Sequence, residues 1–179
     1  HTASYDSAIS AWLNNQVPDE EKTRFPTILT LHFEKVQNLR YGENPHQEGA
    51  FYREFGVKEP CVAHGSQLQG KEMSFNNYLD ANSALELVKE YGGTAAVIIK
   101  HNNPCGAAEG ETALDAYEKA LACDPVSAYG GVIALDDDTG SGIDFAQSLE
   151  FRTARAEKLY LGRVYFKNAS QPHMRIAVA

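Results

Sequence analysis

Long hydrophobic runs are absent from this 179-residue chain. No apolar stretch approaches the roughly 20 residues that a membrane span needs, so no membrane is expected as a partner. Positive charge is scarce. Sixteen Lys and Arg stand against 24 Asp and Glu, a net charge of −8. That argues against nucleic acid as the main partner, because nucleic-acid-binding proteins usually carry a basic face. A small anionic ligand is still allowed, since it needs only a few local cations. Cysteine is sparse and odd in number, with Cys61, Cys105 and Cys123 at irregular spacing. A disulfide framework is therefore not expected, and a reducing, cytoplasmic location is. The first residues lack the pattern of a signal peptide. They open on His1 rather than Met, so the chain is expected to start inside a longer one.

Several motifs are missing too. There is no G-x-x-x-x-G-K-[ST] and no G-x-G-x-x-G after a strand. A zinc site is invited by His64, His101 and Cys105, and Pro104-Cys105 looks like half of a deaminase signature. That chemistry wants His-x-Glu and Pro-Cys-x-x-Cys. The chain has Asn103 two residues after His101 and Ala108 three after Cys105, so two required groups are lacking. Cys105 as a nucleophile has only sequence proximity to His101 in its favour. A small buried side chain is the simpler reading.

What is present is an ordinary globular composition, 43% hydrophobic and 22% charged, in a chain long enough for a real core. Tyr5, Ala8, Ile9, Trp12 and Leu13 share one face of a helix over 4–15. Residues 27–37 alternate, with Leu29, Leu31 and Phe33 on one side, as a half-buried strand would. Arg40 to Gln47 holds Gly42, Asn44 and Pro45 and reads as a loop. A short strand is expected over 49–55. A helix follows over 80–91, stopped by Gly92-Gly93. Residues 95–100 form a strand, 112–123 a helix and 131–135 a strand, which together suggest an α/β unit. Beyond Asp136 the pattern weakens into an acidic loop, with a charged helix at 144–158 and strands at 159–166 and 174–178.

The most informative junction is Lys100-His101-Asn102-Asn103-Pro104-Cys105-Gly106, directly after Ala95–Ile99. A buried strand ends there in two titratable side chains, and ligands of open α/β sheets sit beyond strand carboxyl ends. The pair suits proton transfer and stabilisation of developing negative charge. It suits equally a lysine pointing to water and a histidine bonded to a loop carbonyl. Neighbouring side chains on a straight strand face opposite ways, so both serve one site only if the chain turns at 101. Arg40-Tyr41 offers a two-pronged guanidinium for a phosphate or carboxylate beside an aromatic ring, although surface arginine is common. Gly130-Gly131 brings backbone N–H groups to a ligand, or makes a tight helix-to-strand connection.

Five ordered blocks resemble one family. They are HTASYD at 1–6, RYGENPHQ at 40–47, GKEMSFNNYLD at 70–80, KHNNPCG at 100–106 and DPVSAYGG at 124–131. Together they are similar to the bifunctional purine biosynthesis family, AICAR formyltransferase/IMP cyclohydrolase, over residues 1 to about 136. The resemblance implies a cytidine-deaminase-like α/β fold, a three-layer mixed sheet with flanking helices. It implies formyl transfer from 10-formyltetrahydrofolate to the 5-amino group of the nucleotide AICAR. His101 would be the general base. Lys100 would stabilise the oxyanion or help protonate the folate leaving nitrogen. Arg40 and Tyr41 would bind the nucleotide, and Gly130 would add main-chain contact. The family needs no metal for this step and works as a homodimer with sites at the interface.

The resemblance also implies an organisation. Residues 1–15 would be the last helix of an otherwise absent cyclohydrolase domain, and 16–26 a linker. Residues 27–136 would be the first part of the transformylase region, and 137–179 an unassigned divergent tail. Ring closure to IMP would then belong to a full-length parent. The rival expectation is a non-catalytic remnant that binds nucleotide or dimerises.

Overall fold

The computed structural model describes residues 1–18, 23, 25–55, 59, 61–65, 67, 72–137 and 173–178. The helix at 144–158 and the strand at 159–166 lie outside the described residues. The chain divides into two compact units, one of residues 1–38 and 50–59, the other of residues 39–49 and 60–179. Among the described residues, no helix is long and apolar enough to cross a membrane.

The first unit holds α1 (Thr2–Gln16) and an antiparallel ribbon of β1 (Phe33–Asn38) and β2 (Ala50–Glu54). Arg53 grips Glu34 across the ribbon, Nη2 to Oε2 at 2.7 Å. The alternating segment reaches strand conformation six residues later than its pattern predicts. Leu29, Leu31 and Phe33 are exposed rather than half-buried, because a two-stranded ribbon provides no second layer to cover one face. The apolar stripe of α1 is exposed as well, with Trp12 at 55%.

The second unit is built on a four-stranded sheet in the order β4-β3-β5-β6. Its strands are β3 (Ala95–Lys100), β4 (Asn103–Glu109), β5 (Val132–Asp137) and β6 (His173–Val178). β3 is buried along Ala95–Ile99 because helices cover both faces of the sheet. Ala96 and Ile98 of β3 join Ile133 and Leu135 of β5 against Ala116 and Ala120 of α3 (Ala113–Cys123). By the two-residue period of a strand, Ala95, Val97 and Ile99 face the other way. There α2 (Phe75–Val88) packs, contributing Ala81, Ala84, Leu85 and Val88. This is an α/β fold in three layers. Burying each large aliphatic side chain contributes about 1.5–3 kcal/mol.

A mixed sheet was the expectation, and here the structure differs. Every pairing among the described strands is antiparallel. The reason is the connection after Lys100. Residues 103–109 form a strand and not a turn leading to a helix, so β3 and β4 make a hairpin closed at Lys100 and Asn103. The crossover through α3 then carries the chain from β4 over β3 to β5. β4 and β5 run in the same direction, but β3 lies between them. Among the described strands β4 pairs on one side only, with β3, where Pro104 is tolerated. The register shifts between Ile98 and Ile99, leaving Cys105 as the extra residue of a bulge. At Gly106 a Cβ would collide with the Ala120 carbonyl of α3, so the helix lies directly on the strand.

Candidate active site

Three connections of the second unit carry the candidate residues. The first is the hairpin turn. His101 and Asn102 both have positive φ, 50° and 62°, as the two central residues of a type I′ turn require. Asn adopts this left-handed conformation more readily than most residues. The turn directs the chain sharply at 101, so Lys100 and His101 are not confined to opposite faces of a straight strand. His101 is exposed and Lys100 is half-buried.

The second connection is the 124–131 turn. Val132 pairs with Ile99, so this turn lies at the same end of the sheet as Lys100. The Lys100 ammonium donates to the Tyr129 carbonyl at 2.7 Å. Gly130, next in sequence, has φ 74°, and a Cβ there would meet nothing within 4 Å. Its glycine is required by conformation and leaves the backbone open. The Gly131 N–H is taken by the Ala128 carbonyl at 2.9 Å. Asp124 accepts from the Ser127 N–H at 3.0 Å. The Ser127 side chain, then this N–H, with a smaller contribution from the charge of Lys100, hold the Asp124 carboxyl below the usual carboxylate range.

The third connection is the Arg40–Gln47 loop, which docks on the start of α2. Arg40 N–H donates to the Met73 carbonyl and Phe75 N–H to the Tyr41 carbonyl, each at 3.2 Å. Tyr41 thus satisfies one of the N–H groups that a helix start leaves open. Ser74 caps the helix in a reciprocal box with Asn77. The Ser74 side chain, then the Arg40 guanidinium, pulls the Tyr41 phenol below its ordinary value of 10.0. Arg40 Nη2 lies 3.3 Å from the Tyr41 hydroxyl and its Cζ 5.0 Å from the ring centroid. The guanidinium is therefore stacked and aimed by its neighbour.

α2 ties the first and third connections together. Asn76 Nδ2 donates to the Glu43 carbonyl at 2.9 Å, Asp80 Oδ1 accepts from Asn102 N–H at 2.7 Å, and Ser83 Oγ donates to Asn102 Oδ1. Positions 76, 80 and 83 are four and three apart, one stripe of the helix, spanning about 10 Å at 1.5 Å per residue. The structure joins Lys100 directly to the Gly130 turn. It docks Arg40–Tyr41 at the start of α2, through Met73 and Phe75, and holds the hairpin turn farther along the helix by Asn102, on Asp80 and Ser83.

Sequence reasoning missed Asp80, Ser83 and Ser74. It started the helix at 80, which removed Asn76 from any helical face. The signal was there in Ser74-x-x-Asn77, a capping-box spacing with Asn in place of Glu or Gln. The other candidates sort plainly. Cys105 packs against the α3 side of the core, and burial raises its thiol pKa, the opposite of an activated nucleophile. The Cys61 thiol lies 3.5 Å from His64 Nδ1. All three cysteines are unpaired. Among the described residues, no three His, Cys, Asp or Glu side chains gather as metal ligands would.

Residues 1–150 match the family model described as AICARFT/IMPCHase bienzyme. The chain belongs to that family. Membership makes it a protein of purine biosynthesis, from a family of enzymes with two activities. The match to the AICARFT/IMPCHase family runs past residue 136, where the recognisable motifs stop, and takes in both units.

Proposed function

We propose that the second unit carries a formyl-transfer centre acting on AICAR with 10-formyltetrahydrofolate as co-substrate. The observation that carries this reading is the Lys100–Tyr129 hydrogen bond of 2.7 Å, which joins the Lys-His hairpin to the Gly130 turn at one sheet end. In this reading Arg40, stacked on Tyr41, binds the nucleotide, and the open backbone at Gly130 adds main-chain contact. The acceptor is an aromatic amine, weakened by conjugation to its ring. Its nitrogen attacks the formyl carbon, making an oxyanion and an acidic ammonium together. His101 takes the ammonium proton. Lys100 gives one N–H to Tyr129 and has two more donors for the oxyanion. The carbon–nitrogen bond to folate then breaks, and the leaving nitrogen gains the proton that His101 took, with Lys100 helping to deliver it. Formylated AICAR and tetrahydrofolate result, and no step calls for a metal.

The reading includes a cytoplasmic homodimer with its sites at the interface, and ring closure to IMP by the cyclohydrolase part of a longer parent. The test is a formyl-transfer assay on the purified chain and on His101→Ala. Loss of a general base lowers kcat by roughly 10²-fold or more. Equal background rates for the two proteins would instead identify a non-catalytic chain that binds nucleotide or dimerises.

A further inference from the structure

We infer that Asp80 is a positioning residue for His101, acting through the peptide group that follows it. The inference rests on the formyl-transfer reading for its kinetic consequence, but its geometry stands apart from it. The peptide between His101 and Asn102 is held at both ends. Its N–H donates to Asp80 Oδ1 at 2.7 Å, and its C=O accepts from Asn103 Nδ2 at 2.8 Å. Fixing that plane fixes the backbone on either side of it, at two residues whose left-handed conformations are unfavourable without support. Ser83 adds a second grip on the Asn102 side chain. Asp80 and Ser83 project from a helix anchored by buried Ala81, Ala84 and Leu85. The turn that presents His101 is therefore set against a rigid element and does not depend on its own two residues alone. Reacting groups must be aligned to well under 1 Å, and a misplacement of about 1 Å costs roughly 10²-fold in rate.

An ordinary surface hydrogen bond would leave activity and His101 untouched, which separates the two cases. Asp80→Ala is expected to lower kcat about 10–100-fold while KM for AICAR stays within about twofold. Asp80→Asn keeps a carbonyl acceptor in the same place and is expected to recover most of the rate. Ser83→Ala, which leaves the peptide grip intact, is expected to lose less than Asp80→Ala. The readout independent of catalysis is nuclear magnetic resonance of the full chain. Asp80→Ala should shift the Asn102 amide and the His101 ring signals and speed Asn102 amide exchange, and Asp80→Asn should restore them. Unchanged signals in Asp80→Ala overturn the inference, as does Asp80→Asn being as impaired as Asp80→Ala. If Asp80→Ala does not fold, Asp80→Glu, which displaces the acceptor by one methylene, decides it: a lowered kcat with a shifted Asn102 amide is expected, and a wild-type rate with the Asn102 amide and His101 ring signals unmoved overturns it. If wild type and His101→Ala share one background rate, the formyl-transfer reading fails and the resonance comparison alone decides the role of Asp80.

Discussion

The Arg40–Gln47 loop and the His101–Asn102 turn dock on the same helix, yet different parts of the chain hold them. Backbone groups close the loop: Leu39 N–H to Gly49 C=O at 2.9 Å, Gly42 N–H to Gln47 C=O at 2.8 Å, Gln47 N–H to Asn44 C=O at 3.0 Å. Backbone groups also dock it, through Arg40 on Met73 and Phe75 on Tyr41, with side chains in a lesser part, Asn76 on the Glu43 carbonyl and Gln47 on Asn44 N–H. Side chains anchor the turn, through Asp80, Ser83 and Asn103. Bonds between backbone groups survive side-chain substitution, so Arg40 and Tyr41 are free to be chosen for a ligand. A turn held by side chains ties its shape to the identity of its neighbours. The two regions should therefore respond to substitution in opposite ways.

Close backbone approach gives the largest expected contrast. Gly106, on the strand after the turn, lies against the Ala120 carbonyl of α3. Gly106→Ala has no flexible neighbour to displace, so strand and helix must separate, and the cost should exceed about 3 kcal/mol. In the loop, a Cβ at Gly42 would lie 2.9 Å from Gln47 Cβ and 3.1 Å from the Glu48 carbonyl. Exposed loop chain can shift to relieve that, and Gly42→Ala should cost roughly 1 kcal/mol. Urea unfolding of both variants measures the difference. Equal losses would mean that α3 is not seated on β4 as tightly as the Ala120 contact requires.

Much of this was legible in the sequence, and the failures share a cause. The buried run Ala95–Ile99 and the periodicity of 112–123 each speak through local pattern, and β3 and α3 lie where they predict. By contrast, α2 ends at Val88 with Lys89 as its cap, ahead of Gly92-Gly93, and neither glycine takes the left-handed conformation expected of it. β4 was not legible. Asn103, Pro104 and Gly106 are turn residues by composition, and only pairing with β3 and contact with α3 make them a strand. Propensity is overridden there by tertiary context. The start of α2 was hidden because Phe75-Asn76-Asn77 reads as polar loop, although Ser74 and Asn77 cap it. The candidate site shows the same division. Lys100, His101, Arg40, Tyr41 and Gly130 stand out as residue types in suggestive places. Asp80 and Ser83 matter only for what they hold across the fold, which no local spacing announces.

The finest test of the comparison is the titration of Tyr41. The Ser74 side chain and then Arg40 pull its ionisation below 10.0. The sign follows from linkage. A group whose pKa is depressed in the folded state stabilises the fold above its unfolded value, and that stability is lost as pH falls through the folded value. Tyr41→Phe should therefore match wild type in ionisation-linked stability at neutral pH. A gap should open only as pH rises from the lowered value towards 10.0. In near-ultraviolet phenolate absorbance, the wild-type-minus-Tyr41→Phe difference should titrate at lower pH than an ordinary tyrosine. Arg40→Ala should move that difference part of the way back, since the larger influence, Ser74, remains. The same variant should change stability by less than about 1 kcal/mol, as expected for an exposed charged side chain. A larger loss would show that the Arg40 side chain holds the loop, and the contrast between a backbone-held loop and a side-chain-held turn would fall.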